Sequence, residues 1–251
     1  MGPKLTGGEF IVILTGAGIS AESGLGTFRD KDGLWTRYDL AEVATPEGFA
    51  RNPALVHEFY NARRANSREA RPNPAHEALA RLRRDWPGDV LIVTQNVDDL
   101  HERTEPAPPG GDGPSGLIHM HGRLEGALCA ACGHRWPAPA RMAPADPCPA
   151  CAAAATRPDI VWFGEIPYHM DEIWFALRQA DLFVSIGTSG TVYPAAAFAQ
   201  DAGRAGAWCL EINAEASAVA EDFDAVLIGP ASRKVPEWVE GLLAALSHPP
   251  G

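Results

Sequence analysis

No stretch of this 251-residue chain has the unbroken apolar length that a membrane-spanning helix needs. The first ten residues, MGPKLTGGEF, lack the basic and apolar regions of a secretory signal. Positive charge is in deficit. There are 21 Lys and Arg against 32 Asp and Glu, a formal net charge of -11. That balance argues against general affinity for nucleic acid or for an anionic membrane. Cysteine is scarce and odd in number, five in all, which is poor support for a disulfide framework and leaves metal or catalytic roles open. The expectation is a cytoplasmic monomer with no membrane partner and no specific nucleic-acid partner. What remains, 46% hydrophobic and 21% charged, is the composition of a globular protein. The length suits one large domain, or one domain carrying a smaller insertion.

Short apolar runs recur along the chain: FIVILTG (10–16), VLIVT (90–94), LFVSIG (182–187), WCLEI (208–212) and AVLIG (225–229). Each reads as a strand buried on both faces. Helical patterns fall between them, at 74–84, 170–180, 194–202 and 235–246, several with Pro near the start. The alternation predicts an α/β fold, a Rossmann-type doubly wound parallel sheet. Residues 36–73 look helical without any strand signal, and residues 123–158 are rich in Ala and Pro and hold four of the cysteines. These two insertions are expected to form a smaller domain, a helical module and a zinc module. Residues 1–35, 74–122 and 159–251 would form the large one. TEPAPPGGDGPSG (104–116) reads as an exposed loop.

The first strand runs into GAGISAESG, where Gly16, Gly18 and Ala21 fit the dinucleotide-binding turn. Gly16 would permit the tight turn and Gly18 the approach of backbone N–H groups to a phosphate. The acidic residue of the dehydrogenase pattern has no second strand to sit on, because TFRDKDGLW intervenes. Cys129, Cys132, Cys148 and Cys151 have the C-x2-C-x15-C-x2-C spacing of a zinc site. Four thiolates fill a tetrahedron and leave no place for water, so the zinc is expected to be structural. Cys209, in an apolar strand, reads as a core thiol.

Polar residues gather just past the strands, where ligands bind on this architecture. Gln95, Asn96 and Asp98 follow the second run, and His119 and His121 precede the cysteines. Histidine suits proton transfer near neutral pH. Gly122 would let a ligand approach the backbone beside His121. Gly187, Thr188 and Ser189 end another strand, and Asn213 and Glu215 the next, where they would receive ribose hydroxyls.

In this order, GAGISAESG, TFR, TQNVDDLH, HMHG, the cysteine quartet, VWFGE, GTS and INAE together resemble the sirtuin family of NAD-dependent protein-lysine deacylases, over about residues 8–246. The resemblance implies that NAD is consumed as a co-substrate. The acyl oxygen of a modified lysine attacks the nicotinamide ribose, and nicotinamide and O-acyl-ADP-ribose are released. His121 matches the general base, Gln95 and Asn96 residues around the reacting ribose, and Asp98 the nicotinamide contact. Gly16, Ala17, Gly18, Ala21, Thr27, Phe28, Arg29 and Trp35 match the cofactor loop. Gly187, Thr188, Ser189, Asn213, Glu215 and Ala231 match the adenosine half. Val161, Trp162, Phe163, Gly164 and Glu165 match the strand to which the substrate peptide adds. Gly26 stands where many members have Pro, HERTEP replaces HERAG, and NAEAS has Ala where Leu and Pro are common. These departures touch loops and no catalytic group.

The family also bears on FYNARR (59–64). Tyr60 and Arg63, three apart, share one helix face. A Tyr-x-x-Arg pair marks the subgroup that removes succinyl, malonyl or glutaryl groups, and Ala44 matches the small residue that leaves room for them. Arg offers a planar fork to the terminal carboxylate and Tyr an O–H donor. The expected activity covers both acidic acyl groups and acetyl, while Arg64 is expected to be a solvated neighbour. A mainly acetyl-specific enzyme is the nearest alternative. A non-catalytic NAD sensor would lack the base, a dehydrogenase has no use for the cysteine module, and a nucleic-acid-binding zinc ribbon fits poorly with the acidic charge.

Overall fold

A computed structural model describes residues 5–26, 38–104 and 116–247. Thr27, Phe28, Arg29 and Trp35, and most of the Pro/Gly loop, lie outside the described residues. In chain order the strands are β1 (Ile11–Thr15), β2 (Val90–Thr94), β3 (Leu117–His119), β4 (Gly122–Cys129), β5 (Arg135–Pro137), β6 (Thr156–Ile160), β7 (Leu182–Ile186), β8 (Trp208–Asn213) and β9 (Ala225–Ile228). The helices are α1 (Ala17–Ser20), α2 (Leu40–Val43), α3 (Pro46–Arg51), α4 (Pro53–Glu69), α5 (Pro74–Asp85), α6 (Met170–Leu177), α7 (Phe198–Ala205) and α8 (Ala231–Ser247).

Six strands form one parallel sheet in the order β3-β2-β1-β7-β8-β9. Four of the five apolar runs, β1, β2, β7 and β8, became strands covered on both faces, while the fifth, β9, is the edge strand with Leu227 and Ile228 exposed. Val12, Leu14, Val93, Phe183 and Cys209 point to the side packed by α6 and α7. Ile11, Ile13, Ile92, Val184 and Ile212 point to the side packed by α5 and α8. Residues alternate between faces along a strand, so a fully buried strand must be apolar throughout. The sixth strand, β3, is three residues long and half-buried, too short to announce itself in sequence. The strand order reverses between β1 and β7, which opens a crevice at their carboxyl ends.

Side chains fix the helix starts. Asn73 Oδ1 accepts from Ala75 N at 2.9 Å while His76 Nδ1 accepts from Asn73 N at 3.3 Å, a reciprocal cap at the head of α5. Asn52 and Thr45 cap α4 and α3 by accepting from Leu55 N and Gly48 N, each followed by Pro. Helix α8 begins at Ala231, earlier than its Pro-headed pattern implies, with Pro236 inside it.

The remaining strands form a small antiparallel sheet, β5-β4-β6, with a register shift in β4 between Gly122 and Ala127. Helices α2 to α4 lie against it. Val43, Val56, Phe59 and Tyr60 pack on Leu124, Ile160 and Trp162. Each of these buried side chains contributes roughly 1.5–3 kcal/mol by leaving water. Arg64 departs from its expected place in solvent. It is fully buried, donating from Nε to the Leu124 carbonyl at 2.6 Å and from Nη1 to Asn61 Oδ1 at 2.9 Å. On α4, Arg64 lies a residue beyond Arg63 and so faces the sheet while Arg63 faces the crevice.

Candidate active site

A cleft of about 1020 Å³ lies between the carboxyl ends of the parallel strands and the small sheet with its helices. Its walls bring together residues from across the chain: Gly16, Ala17, Gly18 and Ala21; Gln95, Asn96 and Asp98; His121; Gly187, Thr188 and Ser189; Asn213, Glu215 and Ala231. Ala44, Tyr60, Arg63 and residues 161–165 line the opposite wall.

The glycine turn is built by contact between two strand ends. Gly18 N donates to the Gly187 carbonyl at 2.8 Å, and a Cβ on Gly18 would lie 2.7 Å from Gly187 Cα. Only glycine fits there. The Gly18 amide is thus engaged inside the protein, and the contact with Gly187 is what demands glycine. Gly122 likewise has a different reason from the expected one. It has φ +78, and a Cβ would meet the Asp159 carbonyl at 2.1 Å. The close neighbour of Gly122 is β6, not a ligand.

The two histidines of HMHG divide their work by hydrogen bonding. His121 Nδ1 donates to the Gln95 carbonyl at 3.0 Å. That fixes the tautomer and leaves Nε2 with a lone pair on a cleft residue. Burial pushes the His121 pKa below its usual value, against the raising effect of the Gln95 bond. The ring is thus neutral at pH 7 and able to accept a proton. His119 Nδ1 reaches the Asn96 carbonyl at 3.1 Å and Nε2 reaches Glu102 Oε1 at 2.8 Å. Both nitrogens of His119 are thus engaged by groups of the protein.

Beneath Asn96 and Asp98 lies a buried polar network centred on Ser20, an unremarked position of the glycine pattern. Asn96 Nδ2 donates to Ser20 Oγ at 3.1 Å and to the Gly16 carbonyl at 3.1 Å. Ser20 Oγ donates to Asp98 Oδ2 at 3.2 Å, and His76 Nε2 lies 3.5 Å from it. His76 Nδ1 already accepts from Asn73, so its Nε2 carries the proton. Every hydrogen-bonding capacity of Ser20 is used. The network sets the side chains of Asn96 and Asp98 before any ligand arrives. Burial raises the Asp98 pKa, opposed by its bonds from Leu100 N and Ser20. Burial brings His76 down to about 4 and His101 well below its ordinary value. Both histidines are structural and neutral.

The cysteine quartet passes a geometric test for zinc. Its four sulfurs lie within 4.8 Å of one another, with Cys129–Cys151 at 3.7 Å and Cys132–Cys148 at 3.8 Å. Zn–S bonds of about 2.3 Å at tetrahedral angles require S···S separations of about 3.8 Å. Four thiolates complete the coordination shell, and none of them lines the cleft. Cys209 is buried in β8 as a core thiol, pushed up to about 12 by burial and the nearby Asp224.

The profile of the Sir2 family matches residues 16–194. The chain belongs to the Sir2 family. The NAD-dependent protein deacylase of Caulobacter vibrioides is 57% identical over 240 residues, spanning 94% of this chain and 98% of that protein. Among solved structures, a Sir2 homologue mutant with ADP-ribose superimposes with a TM-score of 0.88 at 36% identity, covering 99% of this chain and 98% of the other. A Sir2 homologue in complex with NAD gives 0.84 at 36% identity, covering 94% and 90%.

Within this family frame the acyl wall has its own chemistry. Tyr60 is 1% exposed and Arg63 half-buried on the same helix face. Burial lowers the Arg63 pKa, while Tyr60 and Asp98 favour its charge. Residues 161–165, expected as a strand, form a turn, because β6 ends at Ile160. Glu165 holds the turn, accepting from Trp162 N at 2.8 Å and from both Arg157 Nη atoms at 2.7 and 2.9 Å. The amides of Val161 and Phe163 donate to the carbonyls of His121 and Ala44. Asn213, expected at the ribose, gives its amide to the Thr188 carbonyl at 2.7 Å and to Glu211 Oε1 at 3.1 Å, so it braces the strand-end loops.

Proposed function

We propose that this NAD-dependent protein deacylase removes succinyl and malonyl groups from lysine in preference to acetyl, while accepting both. The observation that carries the reading is that Tyr60 and Arg63 line the same cleft as His121. Ala44 beside them leaves width for a longer tail. Arg63 presents a charge whose planar fork fits a carboxylate, and Tyr60 adds a hydroxyl. Because Arg63 is only half-buried, water solvates it when the acyl tail is a methyl, so acetyl-lysine remains a substrate.

NAD supplies the ribose carbon that receives the acyl oxygen, with nicotinamide as the leaving group. The protein's part is to hold and to move protons. Asn96 and Asp98, fixed by Ser20, orient the nicotinamide riboside. His121 Nε2 takes a proton from a ribose hydroxyl, its Nδ1–H anchored on Gln95. Glycines 16, 18 and 187 with Ser189, Glu215 and Ala231 form the dinucleotide wall. The substrate peptide lies along 161–165. Four amides there donate internally, those of Val161, Trp162, Phe163 and Glu165. Strand addition therefore relies on peptide N–H groups donating to carbonyls of this turn. No helix among the described residues is long and apolar enough to cross a membrane.

The test measures nicotinamide release with NAD and matched succinyl- and acetyl-lysine peptides. We expect a higher kcat/KM for succinyl, and a fall of that advantage in Arg63→Met. Equal losses on both peptides would remove Arg63 from acyl selection. No release with either peptide would end the enzyme reading.

A further inference from the structure

The hydroxyl of Tyr60 is a rotor, and by itself it can donate or accept. Its neighbours decide between the two. Trp162 Nε1 lies 3.0 Å from Tyr60 Oη, and an indole nitrogen only donates. The Arg63 guanidinium, one turn along α4, lies over the Tyr60 ring at 5.7 Å from its centroid, and it too only donates. No acceptor for the Tyr60 proton is found among the described residues. With the indole donor on its acceptor side, the hydroxyl turns its proton away from Trp162, toward the cleft that Tyr60 lines.

Trp162 is held firmly enough to impose this. It is 3% exposed. The Arg157 guanidinium stacks on its ring at 3.5 Å from the centroid, and Phe49 packs at 5.1 Å. Arg157 is in turn fixed by Glu165 and by the Ile160 carbonyl at 2.8 Å. Glu165 also caps the backbone amide of Trp162 itself. Ring and backbone are pinned by one Arg–Glu pair.

We propose that Trp162 is a positioning residue for acyl selection: its indole N–H occupies the acceptor side of the Tyr60 hydroxyl, so that Tyr60 presents its proton to an acyl tail ending in a carboxylate. The proposal rests on the acidic-acyl reading and deepens it. A succinyl carboxylate then meets two prearranged donors, Tyr60 and Arg63, and the methyl of acetyl uses neither. Reorientation of a hydroxyl on binding is avoided, which is where such prearrangement acts.

The experiment is a double-mutant cycle on the whole protein, with Trp162→Phe, Tyr60→Phe and the pair, reading the ratio of succinyl to acetyl kcat/KM. Trp162→Phe keeps an aromatic ring under Arg157 and removes only the donor. We expect the ratio to fall about fivefold to tenfold in the Tyr60 background, the scale of one hydrogen bond. In the Tyr60→Phe background the same substitution should change it by less than about twofold, since nothing remains to be oriented. An equal fall in both backgrounds means that Trp162 acts by packing, and overturns the proposal. An unchanged ratio in Trp162→Phe, with Arg63→Met still abolishing the preference, overturns the proposal and leaves the acidic-acyl reading intact. Absence of succinyl preference in the wild type overturns both. A second measurement needs no variant of Trp162. Its indole N–H resonance should move more on adding a succinyl peptide than an acetyl peptide, and equal movement would count against the coupling.

Discussion

Arg64 Nε donates to the Leu124 carbonyl at 2.6 Å, and so ties the helix carrying Arg63 to the strand that follows His121. Two adjacent arginines of one helix thus do opposite things. One is buried in the joint between α4 and the small sheet, and its neighbour faces the cleft. Arg64→Met should destabilise the protein by about 2–3 kcal/mol, because it strands the Leu124 carbonyl in a dry site and removes one of the donors to Asn61 Oδ1. Chemical denaturation of variant and wild type measures this, and a change under about 0.5 kcal/mol would mean the joint is held by packing alone.

Arg63→Met should leave stability nearly unchanged and shift selectivity. Loss of a charged hydrogen bond to the acyl carboxylate should reduce succinyl kcat/KM by about 1.5–3 kcal/mol in transition-state terms. Deacetylation should fall much less. Steady-state kinetics on paired peptides separates the two.

His121 must be neutral to accept a proton, and burial holds its pKa below the ordinary 6.5. The rate should therefore be flat through neutral pH and fall on the acid side, with its limb below about pH 6.5. A limb centred above 7 would mean that another group titrates. His121→Ala should lose most of the activity, by a factor on the order of 10²–10⁴.

His76 titrates near 4 in the folded protein because it is buried, whereas an unfolded histidine titrates near 6.5. Below about pH 6.5 the unfolded chain binds protons that the folded chain refuses. Stability is therefore full above that pH and lost as the pH falls toward 4, by at most about 1.4 kcal/mol per pH unit for this group. Buried His101 acts in the same direction. Thermal unfolding between pH 4.5 and 7 should show a steep loss that His76→Gln flattens; an identical slope would acquit His76.

Zinc at Cys129, Cys132, Cys148 and Cys151 closes the loops that join β4, β5 and β6. The small core beneath it, Ala127, Ala138 and Met142, is too slight to hold these loops alone. Elemental analysis should find zinc bound, and Cys148→Ser should lower the melting temperature and the activity together. A full-stability variant without metal would contradict a structural role.

Much of this was legible in the chain itself. The apolar runs of the sheet could be read directly, because a strand buried on both faces is a nearly continuous apolar run, and edge strand β9 stays apolar despite its exposure. The cysteine spacing needs only local geometry, and the order of the glycine turn, TQNVDD, HMHG and INAE carried the family. Legibility stopped at partners distant in sequence. Ser20 sits 76 residues from Asn96, and nothing around it signals a hub. Gly18 and Gly122 were marked as special, but the groups that demand glycine, Gly187 and the carbonyl of Asp159, belong to other strands. The family resemblance makes 161–165 a strand, and Glu165, bonded to Trp162 N and Arg157, holds it as a turn.

The sequence by itself determined the alternation of strands and helices, the metal ligands and which residue types were available for chemistry. These follow from local periodicity and from spacing along the chain. The tertiary structure decided roles. It separated His121 from His119 by their hydrogen-bond partners, and Arg63 from Arg64 by the face of α4 each occupies. It set Trp162 against the Tyr60 hydroxyl across 102 residues of sequence. Proton direction, burial and tautomer depend on what lies within about 3 Å of an atom, and in a folded chain that neighbour is seldom nearby in sequence.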